Sequence, residues 1–144
     1  MNANRYGFCL LLIAVSYPTL AEMDQDIIRD AKQVFFDEYY RSEYQEVAEQ
    51  LQPRGLLRDE ITATVVEVAK GIADCIIDRL EQDPSPVAKS YLLLITDGTP
   101  IDQIDGFLRD AYKQAERKEF MVLTSSAMQD CRKAAYEGHY LAVK

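Results

Sequence analysis

Cys75 and Cys131 carry the clearest chemistry in the chain, 56 positions apart. Without a Cys-x-x-Cys spacing they are poor candidates for thiol exchange, and a structural bridge is the expected use. Helical phase agrees. At about 100° per residue, Ile61, Val65, Val68, Ile72, Cys75 and Ile76 share one face. Phe120, Ala127, Cys131, Ala134 and Ala135 share another. Both cysteines should therefore point inward and meet, closing a loop worth about 4 kcal/mol in the chain-entropy account.

Other catalytic constellations are missing. The one histidine, His139, follows Gly138 near the end of the chain. One histidine and two bridged cysteines cannot make a zinc site. There is no glycine-rich phosphate loop and no Gly-x-Ser-x-Gly elbow, and Ser125-Ser126 has no evident base. Glu67, Asp74, Asp78 and Glu81 line a helix face opposite the apolar one, the pattern of a solvated stripe. Asp102 and Asp105-Gly106 lack the rest of a calcium loop. No cofactor, no metal and no enzyme activity are expected, with a small hydrolase the weakest of the readings kept.

The amino terminus supplies an address. A single positive charge at Arg5 precedes an apolar run, Gly7 to Val15, then Ser16-Tyr17-Pro18 and Thr19-Leu20-Ala21. These are the parts of a secretory signal peptide, residues 1–21, with cleavage after Ala21. A membrane span needs about 20 apolar residues, and this run is too short. Cys9 sits inside the run, where a lipid-bearing cysteine would not, so stable membrane insertion is not expected. Residues 22–144 then form a single domain that is exported, to the periplasm of a bacterium or the exterior of another cell.

The whole chain carries 16 basic and 24 acidic side chains. Loss of Arg5 brings the formal charge from −8 to −9, which disfavours nucleic acid and anionic membranes and permits a basic partner. The apolar pattern is helical throughout, which predicts an all-α bundle of about five to six helices held by one interhelical disulfide. Helices are expected over 24–40, 42–51, 59–81, 86–96, 101–115 and 118–137. Gln52–Gly55 is expected to be a turn, and Asp83–Pro86 to stop the long helix. Ser85-Pro86 and Thr99-Pro100 should open helices, while Asp97-Gly98 and Gly138 should close them.

The first of these segments poses a problem. Ile27, Ile28, Ala31, Val34 and Phe35 face one way, while Tyr44, Val47, Ala48 and Leu51 face almost the other. Either the helix breaks near Arg41 or it is buried on two sides. Ser42 with Gln45 matches a capping box and favours the break. Phe36, Tyr39, Tyr40 and Tyr44 cannot all share one core-facing stripe of a straight helix. They are therefore candidates for a partner-binding patch, with a basic protein or a second copy of the chain as occupant.

In general build the chain resembles small two-cysteine helical proteins of the bacterial periplasm, such as immunity proteins against secreted toxins and acid-stress chaperones. The likeness lies in architecture and not in any motif. It implies a non-enzymatic binding protein that captures another macromolecule. The alternative is a carrier of small apolar ligands, with a cavity between helices near Tyr91 to Ile95. For the leader, intact-mass measurement of protein from the native host should return a chain beginning at Glu22. Retention of Met1 to Ala21 in the exported form would refute the assignment.

Overall fold

The computed structural model describes residues 24–143. The signal-peptide assignment therefore lies outside the described residues. Five α-helices follow one another: α1 Gln25–Leu51, α2 Arg58–Glu81, α3 Pro86–Thr96, α4 Ile101–Ala111 and α5 Gln114–Gly138. One 3-10 turn, Gln52–Arg54, joins α1 to α2. The all-α disulfide-linked bundle is the architecture expected from the sequence. Among the described residues no helix is long and apolar enough to cross a membrane.

α2 is the central element. Ile61, Val65, Val68, Ile72 and Ile76 are buried along the predicted face. Both α1 and α5 pack against it, and α3 bridges from α2 to α1. The core runs from Ile28 and Phe35 through α2 to Val87, Leu92 and Ile95 of α3. Ser85 caps α3 by accepting a bond of 3.2 Å from the Ala88 amide, and Pro86 fills the first turn, as expected. Gly98 takes a positive φ of 80° and ends α3 without the steric cost that a side chain would add.

The expected break at Arg41 does not occur, because α1 is one continuous helix of 27 residues. Ser42 Oγ bonds back to the Tyr39 carbonyl and Gln45 pairs with Glu49, so neither side chain caps anything. The other horn of the dilemma holds. Ala31, Phe35, Tyr39, Glu43, Val47 and Leu51 are spaced four apart, and all are buried except the half-buried Tyr39. A row at that spacing precesses by about 40° per step at 3.6 residues per turn. Its two ends face opposite ways on a straight helix, and neighbours pack along the ridge from end to end.

Three boundaries also differ. α4 stops at Ala111 and α5 begins at Gln114, four residues earlier than predicted, so Ala115 lies in α5. Tyr112 is extended between them and bonds Ser90 Oγ at 2.5 Å and the Pro86 carbonyl at 3.0 Å, which pins the junction to the start of α3. Pro100, rather than Thr99, is the residue that precedes α4. Gly138 is the last helical residue of α5, and the left-handed position that ends the helix belongs to Tyr140, with φ 55°. The Leu141 amide bonds the Tyr136 carbonyl and the Tyr140 amide bonds that of Glu137, the six-to-one and five-to-two pair of a Schellman ending.

Cys75 and Cys131 are bonded, with Cα atoms 5.6 Å apart. Cys131 is buried, whereas Cys75 is half-buried at the edge of its face. One turn away, Gly71 lies against Ala135, and these small residues let α2 and α5 approach. Ala134, predicted on the same face, is exposed. Replacing either cysteine with Ala should lower unfolding free energy by about 2–5 kcal/mol in urea titrations of the oxidised protein. Tyr140→Gly should raise it by roughly 0.5–1 kcal/mol, since relief of the left-handed backbone outweighs the added freedom of the unfolded chain.

Candidate interaction surface

Glu43 is the one buried charged residue among the described residues, 5% exposed in the middle of the α1 row. Arg132 answers it from α5. Its Nε lies 3.0 Å from Glu43 Oε1, and its Nη2 lies 3.0 Å from Glu43 Oε2 and 2.6 Å from Glu46 Oε2. Tyr136, one turn on, donates its hydroxyl to Glu43, and the guanidinium sits 4.7 Å from the centroid of its ring. Glu43 and its hydrogen bonds hold the Arg132 guanidinium firmly protonated, and burial pushes the Tyr136 hydroxyl up. The two carboxylates share one cation, and Glu46 Oε1 is buried without a hydrogen-bond partner. Glu43 and Tyr136 are buried while Arg132 and Glu46 are half-buried, so the cluster joins α5 to α1 and sets how the one lies on the other.

A second clasp lies below it. Gln50 Nε2 donates to the Ala142 carbonyl while Gln50 Oε1 accepts from the Ala142 amide, both at 2.8 Å. Arg54 donates to the Tyr140 carbonyl at 3.0 Å, and Leu141 is buried. His139, at the end of α5, is half-buried beside this strap. Among the described residues no cluster of His, Cys, Asp or Glu is arranged to hold a metal ion. Ser125 and Ser126 are exposed, and Ser126 Oγ lies 3.4 Å from Asp130. The carboxylate stripe on α2 is mostly solvated, with Asp74 and Asp78 paired to Lys32 of α1.

The four predicted partner-binding residues separate into two rows. Along one side of α1 Phe36 stacks on Tyr40, and Tyr40 meets Tyr44 edge to face, with ring centroids 5.9 and 6.0 Å apart. Hydrogen bonding from Thr62 and Arg58 at the start of α2 holds the Tyr44 hydroxyl below its usual range. Tyr39 belongs to the other row, stacked on Phe35, which in turn meets Tyr91 of α3. All four are half-buried and pack against the core.

Exposed apolar area concentrates on α4 and α5 instead. Ile101, Phe107, Met121 and Val122 are 42, 54, 56 and 64% exposed. Only Ile104 and Leu108 of α4 are buried, so this short helix covers α5 incompletely. Between them lies a groove of about 200 Å³ with a floor of Tyr91, Ile104, Leu108 and Phe120. Ile101 and Met121 form apolar walls, and Asp105 and Arg117 supply the charge. Among larger open clefts, one of about 460 Å³ lines the α1–α2 seam, one of about 660 Å³ lies at the α2–α3 turn, and a shallow one of about 470 Å³ lies on α5 between Ala115 and Val122. In the first two the cations Arg29, Lys32, Lys70 and Arg79 are already paired with aspartates. Sequence reading missed the α4–α5 groove because its walls come from two helices whose boundary was misplaced. The chain matches no protein-family model, and no curated protein or solved structure is significantly similar to it.

Two outcomes follow from the buried polar groups. Arg132→Met leaves Glu43 charged and unpaired, and should cost about 3–5 kcal/mol in urea unfolding. The fourfold change Glu43→Met, Glu46→Met, Arg132→Met, Tyr136→Phe removes the whole cluster together and should recover most of that loss. The second concerns alkaline pH. Burial pushes the Tyr91 hydroxyl up to about 12, and also raises Tyr39. The unfolded chain releases these protons near pH ~10 while the fold retains them. Stability is therefore full below about pH 10 and falls as the pH rises toward the folded value. Phenolate absorbance of these residues should rise together with the loss of helical circular dichroism.

Proposed function

We propose that the chain is an exported, non-enzymatic protein that captures another protein through the face formed by α4 and α5. The observation that carries this reading is the open apolar groove there, walled by exposed Ile101 and Met121. Small-molecule sites hold about 300–1,000 Å³ and enclose most of their ligand. Near Tyr91 the space is about 200 Å³ and open, and Tyr91, Leu92 and Ile95 themselves are packed into the core. That favours a side chain of a partner over a carried apolar ligand. The disulfide and the leader-like amino terminus support export, where such a bridge persists. The net charge of −8 favours a partner with a basic surface and faster association at low salt.

The half-exposed row Phe36, Tyr40 and Tyr44 supports a second surface, since tyrosines are enriched among the residues that carry binding energy at interfaces. Capture from the envelope or secreted fraction of the native host, with each variant immobilised, separates the two. Ile101→Asp and Met121→Glu should abolish specific capture without shifting the thermal midpoint. Tyr40→Ala and Tyr44→Ala should retain it. The reverse pattern in folded variants would move the site to α1, and capture unchanged in all four would refute both surfaces.

A further inference from the structure

We infer that the α4–α5 groove recognises an amphipathic helix that presents an acidic side chain one turn from its apolar anchor. The inference rests on the reading of this groove as the binding site and adds the chemistry that would read the partner. Arg117 is half-buried on the groove wall, and its Nε is buried with no hydrogen-bond partner. Among the described residues its guanidinium forms no salt bridge. The adjacent Glu116 is committed elsewhere, since it accepts the Lys113 amide at 3.0 Å to cap α5. Asp105 lines the same groove without reaching Arg117.

A buried N–H left without an acceptor costs about 1–3 kcal/mol, and such groups are rare in folded proteins. A carboxylate docked on this wall would pair with the half-buried Arg117 guanidinium in a charge-assisted contact, and a small rotation of that side chain would bring its buried Nε an acceptor as well. A bare anion is a poor occupant, because Asp105 and the chain's net charge of −8 repel it. The apolar floor of Tyr91, Ile104, Leu108 and Phe120 must contribute, so the carboxylate has to arrive attached to an apolar group. A groove bounded by two helices suits a helix that lowers an anchor at position i and its acid at i+3 or i+4.

The test is a displayed library of random helical peptides panned against the full chain, with winners resynthesised with blocked termini. Enriched peptides should pair Leu, Ile or Phe with Asp or Glu three or four positions away. Their binding should fall about tenfold or more on Glu→Gln in the peptide or Arg117→Gln in the protein, the worth of a hydrogen bond to a charged group. Arg117→Lys should recover part of the loss by restoring the charge without the guanidinium. If Met121→Glu abolishes binding while both Gln changes leave it intact, the groove is a site but does not read a carboxylate, and this inference fails alone. If Met121→Glu and Arg117→Gln both leave binding unchanged, or no peptide is enriched, the groove reading fails with it.

Discussion

Arg132 holds Glu43 and Glu46 of α1 while its neighbour Cys131 is bonded to Cys75 of α2. One turn of α5 therefore fixes that helix to both others. The covalent bond sets the distance between α2 and α5, and the guanidinium sets the rotation of α5 against α1. A fork of hydrogen bonds is directional in a way that apolar packing is not. Tyr136 and the Gln50–Ala142 clasp continue the same seam toward the carboxyl end.

That seam explains how a small domain can leave apolar surface uncovered elsewhere. α2, α1, α3 and the second half of α5 are locked by core packing and by the bridge. α4 and the first turns of α5 are held chiefly by Ile104, Leu108, Phe120 and the Tyr112 hydroxyl. The rigid end supplies stability, and the lightly packed end supplies exposed Ile101, Phe107, Met121 and Val122. A groove carried on such a base can keep its shape without being sealed.

The row at spacing four on α1 shows what a two-state hydrophobic pattern misses. Glu43 interrupts an otherwise apolar and aromatic ridge from Ala31 to Leu51. Scored as polar, it splits one helix into two amphipathic halves with opposed faces and suggests a break. Scored as a charge awaiting a partner, it would have joined them and asked where the cation was. The partner stands 89 positions away, as Arg132 with Tyr136 one turn on. Nothing local in either segment marks that pairing.

Local information sufficed for the helical class, the caps at Ser85-Pro86 and Asp97-Gly98, and the inward phase that brings Cys75 to Cys131. Each depends on a few neighbouring residues, through propensity, capping or a 3.6-residue period. The tertiary structure decided the continuity of α1, the start of α5 at Gln114, and the left-handed Tyr140 in place of a glycine. It also decided which apolar residues stay outside. Met121 and Phe120 are adjacent in sequence, yet one is exposed and the other lies in the core. Helical phase gives their angle around the axis but not the direction from which a neighbour will cover it. That direction is set only when α4 settles across α5, by contacts between segments that carry no sequence signal of each other.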